Sequence, residues 1–202
     1  MDTNAMFKVG CGLYVLTAAE NGKDNGCIVN TFQQVTSDPL RVCVCVNKAN
    51  YTCGMIERTG VFNVSVIDES ASFQLFRHFG FQSGKEVDKF AADIDAPRCA
   101  NGVRAINSST NAVICARVVQ KIDLGTHLMF IADVTDAVVK SALETATYSY
   151  YQRVIKPKPA KAPAKKGWRC LICGYFYEGE TLPADFICPL CKHPASDFER
   201  VQ

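Results

Sequence analysis

Four cysteines near the C-terminus constrain this chain more than any other feature. Cys170, Cys173, Cys188 and Cys191 form two C-x-x-C pairs separated by 14 residues. Each pair folds as a knuckle that points two thiolates at one centre, so the spacing predicts a tetrahedral four-sulphur metal site. Residues 168–202 number only 35, fewer than the ~40 that a domain needs to fold without a metal, a disulfide or a partner. We therefore expect a metal ion to stabilise this segment.

The segment just before the four cysteines differs in composition from the rest. Residues 156–167 consist of five Lys, three Pro, three Ala and one Gly. Proline and like-charge repulsion favour an extended tether, so we predict a large domain 1–155, a linker 156–167 and a small domain 168–202. The formal charge of +2 is the sum of −1, +5 and −2 over these parts. Because the linker lacks interleaved aromatic residues, no nucleic-acid partner is predicted.

The other seven cysteines are scattered through residues 1–155. Cys43 and Cys45 lie in an apolar run, where a free thiol behaves as a small buried hydrophobe. An odd number of such thiols argues against a disulfide framework and favours a reducing cytoplasm. No apolar run approaches the ~18 residues of a membrane span, and the N-terminus has no signal-peptide pattern. We therefore expect a cytoplasmic protein with no membrane partner.

Short β-like runs dominate the large domain. The runs of strand length are 12–18, 27–35, 41–46, 61–67, 111–120 and 127–134, and the helix-like segments are 50–58 and 70–79. The segment from Asn21 to Gly26 predicts a turn that joins the first two strands as an antiparallel pair. Many strands, few helices and no βαβ alternation predict a mainly β protein, a barrel or sandwich with appended helices.

Two polar clusters in the large domain are candidates for binding an anion. Residues 30–34 close one strand run, and residues 47–52 join a strand to the start of a helix. Free backbone N–H groups and the helix dipole at such a position favour a phosphate. Ordinary turn chemistry explains the same Asn and Thr residues equally well. The domain has no Walker loop, G-x-G-x-x-G or H-E-x-x-H motif, so no catalytic side chain is predicted.

The residues around the four cysteines resemble rubredoxin. The string C-x-x-C-G-Y-x-Y, followed by P-x-D-F-x-C-P-x-C, is similar to the compact rubredoxin modules fused to rubrerythrins and flavoproteins. The resemblance implies one iron held by the four thiolates, with Trp168, Tyr175, Tyr177 and Phe186 packed beside it. Lys192 stands where many rubredoxins have Gly. Spacing alone does not distinguish iron from zinc, so a zinc ribbon that serves only as a structural or docking module is the alternative.

The large domain resembles the flavin reductase-like, FMN-binding split-barrel family. The motifs at 12–17, 30–39, 42–52 and 60–66 follow one another in that order and spacing. The resemblance implies a Greek-key split β-barrel with FMN near a homodimer interface. It assigns Asn30, Thr31, Phe32 and Gln33 to the flavin ring edge and ribityl chain, Asn47, Lys48, Asn50, Tyr51 and Thr52 to the phosphate, and Lys85 and Tyr148 to closing the site. Lys48 and Lys85 as solvated surface lysines, and Tyr148 as interface packing, are the alternatives.

Both parts together resemble the fused flavoprotein-rubredoxins. The resemblance implies electron transfer from NAD(P)H through FMN to the iron, and then to an acceptor protein such as a flavodiiron oxygen or nitric oxide reductase. FMN accepts two electrons as a hydride and releases them singly, whereas one iron carries a single electron. The alternative function is an FMN reductase or flavin carrier with a zinc ribbon.

Overall fold

The computed structural model of the chain describes residues 1–91, 94–157 and 167–201. The strands are β1 Tyr14–Glu20, β2 Lys23–Val29, β3 Gln33–Ser37, β4 Leu40–Asn47, β5 Val61–Ile67, β6 Thr110–Asp123, β7 His127–Val139, β8 Gly167–Cys170, β9 Phe176–Tyr177 and β10 Phe198–Val201. The helices are α1 Tyr51–Thr59, α2 Phe73–Gly80 and the short α3 Tyr148–Tyr150, which continues as a π-helix over Tyr151–Ile155; 3₁₀ helices span Thr3–Lys8 and Ala195–Asp197. The predicted linker lies outside the described residues over 158–166.

The first seven strands form one antiparallel sheet in the order β2-β1-β5-β6-β7-β4-β3. Strands β6 and β7 are the longest, at 14 and 13 residues, and their pairing is interrupted by two register shifts. Such bulges increase the local twist and bend the strands, so the sheet curves. Helix α1 packs against β1 and β2. The fold is therefore the mainly β split barrel that the sequence predicted.

Hydrophobic cores cover both faces of this sheet. Leu16, Phe62 and Phe130 are fully buried in the interior core, which also receives side chains of α1. Val15, next to Leu16 in the chain, is buried on the opposite face with Phe79 of α2. This alternation follows from the two-residue period of a strand. Helix α2 covers this outer face and contributes Phe76 and Phe79 to the second core.

Both predicted helices of the large domain are present. Helix α1 begins after Asn50, whose Oδ1 accepts a hydrogen bond from the Thr52 N–H at 3.1 Å, and it ends at Gly60, which has a φ of +70°. These are a favourable N-cap and a left-handed C-terminal residue. Helix α2 buries Phe76 and Phe79. None of the helices in the described ranges is long and apolar enough to cross a membrane.

The prediction of one strand over 27–35 was wrong. Strand β2 ends at Val29, and β3 begins at Gln33 on the opposite edge of the sheet, paired with β4. The exposed Thr31 lies between them and donates its hydroxyl hydrogen to the Cys45 carbonyl at 2.6 Å, so the chain turns there.

The predicted antiparallel pairing of β1 with β2 is confirmed, but the turn that joins them is shorter than expected. Within the predicted turn 21–26, only Asn21 and Gly22 have a positive φ, and that pair suffices for a tight hairpin.

The C-terminal unit has a small core around the cysteines. Its three strands lie in the order β10-β8-β9, and Cys170, Cys188 and Phe198 are its buried apolar residues. The predicted aromatic packing is confirmed, since the rings of Tyr177 and Phe186 are 4.8 Å apart and Trp168 and Tyr175 pack on the same cluster. Phe198, which packs edge-to-face on Phe186 at 5.4 Å, was not anticipated because it lies outside the cysteine motif.

A buried carboxylate ties the long loop before β6 to the barrel. Asp24 on β2 is only 7% exposed. It accepts two hydrogen bonds from Arg98, at 2.9 and 2.7 Å, and one from Arg104 at 2.9 Å. A bidentate Arg–carboxylate pair fixes both partners in orientation. Asp24 therefore positions the loop that carries Arg98 and Arg104.

We predict that Asp24→Asn destabilises the protein by about 1.5–3 kcal/mol, because hydrogen bonds to a charged group are lost and two arginines lose their shared partner. Far-UV circular dichroism during urea unfolding measures the change. The matched control is Asp133→Asn, which breaks the exposed Arg41–Asp133 pair. That change should cost less than about 1 kcal/mol. Equal losses for the two variants would contradict the anchoring role of Asp24.

Candidate functional site

The four sulphur atoms of the C-terminal unit converge on one point. The Sγ atoms of Cys170, Cys173, Cys188 and Cys191 all lie within 4.8 Å of one another. Two of the separations, Cys170 to Cys191 and Cys173 to Cys188, are 3.5 Å. Metal–sulphur bonds of ~2.3 Å in a tetrahedron place sulphur atoms about 3.8 Å apart. The donor set and its spacing therefore fit one thiophilic metal ion.

The two knuckles have matching backbone hydrogen bonds. In the first, the Gly174 N–H donates to the Cys170 carbonyl at 2.9 Å; in the second, the Lys192 N–H donates to the Cys188 carbonyl at 2.9 Å. Gly174 has a φ of +79° and Lys192 a φ of +61°. This left-handed conformation is unfavourable for a residue with a Cβ. Lys192, the departure noted in the sequence, therefore occupies a strained position equivalent to Gly174.

Backbone donors also tune the sulphur atoms. Burial acts to raise the pKa of the Cys188 thiol, but N–H groups of Cys191 and Leu190 favour the thiolate, and the pKa is lowered overall. A thiolate is the form that binds a metal. His193 lies beside the site, with its Nδ1 at 3.0 Å from the Cys191 carbonyl. Its ring is thus engaged with backbone, and the four cysteines complete the tetrahedron.

A first cavity of about 1070 Å³ lies along β3 and the residues that precede it. The sequence-predicted residues on its wall are Asn30, Thr31, Phe32, Gln33 and Tyr148. The rings of Tyr14 and Phe32 pack edge-to-face at 5.1 Å on this wall. The amide side chains of Asn30 and Gln33 are exposed. An aromatic surface bordered by amides suits a planar heteroaromatic ring with polar edges.

A second cavity of about 510 Å³ lies beside the start of α1. Three predicted phosphate residues, Asn47, Asn50 and Tyr51, line it together with the loop that follows α2. The Lys23 Nζ lies 4.8 Å from the centre of the Tyr51 ring, a cation–π contact. The structure thus divides eight of the eleven predicted cofactor residues between two cavities.

Thr52 does not lie on an open wall. It is fully buried, and its Oγ accepts a hydrogen bond from the Asn25 Nδ2 at 2.9 Å. A Cβ on Gly84 would collide with the amide of the same Asn25. Asn25 therefore joins the loop after α2 to the start of α1. Sequence reasoning missed Asn25 because the segment 21–26 was predicted to be a turn. In the structure β2 already begins at Lys23, so Asn25 lies within a strand, and it is buried.

Neither of the two predicted lysines lines these cavities, although each lies in the chain between two residues that line the second one. The Lys48 Nζ forms an ion pair with Asp123, at 2.6 Å to Oδ1, and Lys48 lines a separate cavity that also contains Lys121. Lys85 is exposed in the loop next to Gly84. Their assignment to the cofactor, like that of the other flavin-site residues, stays a prediction.

A buried lysine missed by the sequence reasoning borders the second cavity. Lys89 is only 2% exposed, and its Nζ donates to the carbonyls of Gly26 and Phe79 at 2.8 and 2.9 Å. Both carbonyls favour the ammonium, yet burial prevails and lowers the pKa of Lys89 to about 8. It ties β2 to the C-terminal end of α2. No sequence signal marks it, because Asp88-Lys89 reads as an ordinary charged loop.

The barrel has a cleft lined by aromatic and amide side chains, and the C-terminal unit has four converging thiols. Together they define a class of redox protein that has an organic cofactor site and a metal centre. Residues 6–158 match the model of the flavin reductase like domain, and residues 168–199 match that of the rubrerythrin, rubredoxin-like domain. The chain therefore belongs to the flavin reductase-like family and carries a C-terminal rubredoxin-like domain. These domains imply a flavin and one iron, and their fusion in one oxidoreductase supports electron transfer.

Known proteins resemble either the whole chain or the barrel. The high molecular weight rubredoxin of Moorella thermoacetica is 35% identical, covering 100% of both chains. The ferric-chelate reductase (NAD(P)H) of Archaeoglobus fulgidus is 36% identical over 158 residues, which is 78% of this chain and 93% of the relative. The structure of flavin reductase PheA2 in its native state has a TM-score of 0.59 at 26% identity, covering 70% of this chain and 90% of that one.

We predict that Lys192→Gly stabilises the iron site and Gly174→Ala destabilises it, each by about 1 kcal/mol. The reason is that a Cβ at positive φ is strained, and a Cβ at Gly174 would meet nothing within 4 Å, so only the backbone term changes. The temperature at which the iron absorbance is lost in the full chain measures both effects. A shift of the same sign in the two variants would contradict the matched-knuckle geometry.

We predict that the wild type gains stability relative to Lys89→Met as pH rises from about 8 to 10. In the folded state Lys89 loses its proton near pH 8, whereas in the unfolded state it does so near 10.4. Between these values the unfolded state binds more protons, so raising the pH favours folding, by up to about 3 kcal/mol. Urea unfolding of both proteins across this range measures the difference. A constant difference would show that Lys89 has an ordinary pKa in the folded protein.

Proposed function

We propose that this protein uses NAD(P)H to reduce a bound FMN and passes electrons one at a time to an iron held by Cys170, Cys173, Cys188 and Cys191. The observation that carries the proposal is the presence, in one chain, of a convergent four-sulphur site and a barrel with a lined cleft. The full-length likeness to a high molecular weight rubredoxin supports the pairing of the two centres. The relative named ferric-chelate reductase (NAD(P)H) supports the donor.

The barrel residues hold and orient the flavin in this proposal. Phe32 and Tyr14 offer an apolar surface to the ring, and the amides of Asn30 and Gln33 reach its polar edge. Asn47, Asn50 and Tyr51 face the phosphate end, while Thr52 and Asn25 fix the start of α1 from behind. Bound FMN supplies the conversion of a two-electron hydride transfer into single-electron steps. Thr31, Lys48, Lys85 and Tyr148 remain part of the proposed site.

A second copy of the chain completes the proposed flavin site. Strand β3 is an edge strand that is exposed along its whole length. Val35, which lines the first cavity, is 48% exposed, and Leu40 on the neighbouring strand β4 is 44% exposed. An exposed edge with apolar side chains is a surface that another chain covers. We therefore include a homodimer in the proposal.

The acceptor is a further redox protein, and we propose the flavodiiron class of oxygen or nitric oxide reductase. A mononuclear iron holds a single electron, so the electron must pass to a partner before the next arrives. The eleven cysteines all lie in the described part of the chain, and none of them forms a disulfide there. Free thiols are typical of a reducing compartment, and this supports a cytoplasmic location.

Anaerobic rapid mixing of the purified protein with NADH or NADPH tests the proposal. We predict that flavin absorbance bleaches first and iron absorbance follows, with one iron and one FMN per chain. The matched control is protein loaded with zinc in the same site, in which the flavin bleaches and no second phase appears. Protein purified without flavin, or iron that stays oxidised while the flavin is reduced, would refute the electron path. Zinc in protein from iron-replete cells would instead support the alternative of an FMN reductase with a structural ribbon.

A further inference from the structure

The first knuckle of the rubredoxin-like domain contacts Lys156, the first residue of the predicted linker, in the same chain. The Lys156 Nζ donates a hydrogen bond to the carbonyl of Leu171, between the first two cysteines, at 3.1 Å. A cleft of about 290 Å³ surrounds this contact. Gln152 and Lys156 line it from one side, and Cys170, Leu171 and Glu199 line it from the other.

The second knuckle borders the second cavity of the barrel. Cys191, Lys192 and His193 form part of its wall. Asn50 and Tyr51, two residues proposed to bind FMN, form part of the same wall. A ligand of the metal is thus on the boundary of the proposed cofactor cavity. The metal site therefore borders the cavity that the proposed function gives to the phosphate end of FMN, and one chain supplies both sides of this contact.

Lys156 places a positive charge beside the first knuckle of the metal site. It is half-buried, and its Nζ lies 3.1 Å from the carbonyl of Leu171, which stands between the metal ligands Cys170 and Cys173. Four thiolates around Fe(III) carry a net charge of −1, and around Fe(II) a net charge of −2. A fixed positive charge stabilises the more negative state more strongly, so it raises the reduction potential.

We propose that the metal-bearing face of the rubredoxin-like domain docks on the barrel of its own subunit, with Lys156 as the positioning residue, and that electrons enter the iron within one subunit. The electron route rests on the proposed function, whereas the docking does not. In each step the reduced flavin loses one electron and Fe(III) becomes Fe(II), and the flavin's proton leaves to solvent. A second step follows after the acceptor has re-oxidised the iron, and it returns the flavin to its oxidised form.

Photo-crosslinking of the full chain tests the docking without reference to redox chemistry. A p-benzoylphenylalanine at Gln152 should form crosslinks to residues 169–174 or to Glu199. In a mixture of ¹⁵N-labelled and unlabelled chains, both halves of the crosslinked peptide should carry the same label. The control is the same photo-reactive residue at Val119, which is exposed on β6 and should give no C-terminal crosslink. Mixed-label crosslinks, or none to the C-terminal unit from position 152, would overturn the proposal.

The reduction potential of the iron and the rate of flavin-to-iron transfer test the role of Lys156. Lys156→Gln should lower the potential and slow the transfer by about two- to fivefold, the range that a partly exposed charge contact supports. Lys156→Arg should restore the potential, while Arg117→Gln, which removes a charge from an exposed position on β6, should change neither quantity. An unchanged potential in Lys156→Gln would overturn the positioning role. Same-label crosslinks and a lowered potential without reduction by NAD(P)H would leave the docking intact and refute the proposed function instead.

Discussion

The curvature of the β6–β7 pair governs the geometry of the large domain. These strands are longer than their neighbours, and two register shifts interrupt their pairing. Since β7 also pairs with β4 and β6 with β5, the bend brings both halves of the sheet around one interior core. The edge strand β3 lines the first cavity, and the start of α1 lines the second.

Buried polar groups connect β2 to the start of α1 and to the C-terminal end of α2. Asn25 bonds Thr52 at the start of α1, and it leaves no room for a side chain on Gly84. Lys89 joins the carbonyls of Gly26 and Phe79. An unpaired buried polar group is costly, so each of these residues specifies one arrangement of its neighbours. The loop after α2 thereby packs against the barrel and lines the second cavity.

The two domains depend on different sources of stability. The barrel buries apolar side chains on both faces of a seven-stranded sheet. The small unit has only three buried apolar residues in its cluster, two of which are cysteines. Its order therefore requires the metal, because binding free energy at a four-thiolate site is folding free energy. That dependence couples the fold of the small unit to its redox centre.

The sequence by itself determined the metal site, the β class and both helices, because each follows from local rules. The C-x-x-C spacing defines a knuckle, Asn50 and Gly60 mark the limits of α1, and Phe76 and Phe79 share one helix face. Only the tertiary structure decided that the run 27–35 divides between opposite edges of the sheet, that Thr52 is buried behind Asn25, and that Lys89 is a core residue. These outcomes depend on contacts between residues far apart in the chain, such as Thr31 with Cys45 and Asn25 with Thr52. Local propensity carries no information about such contacts.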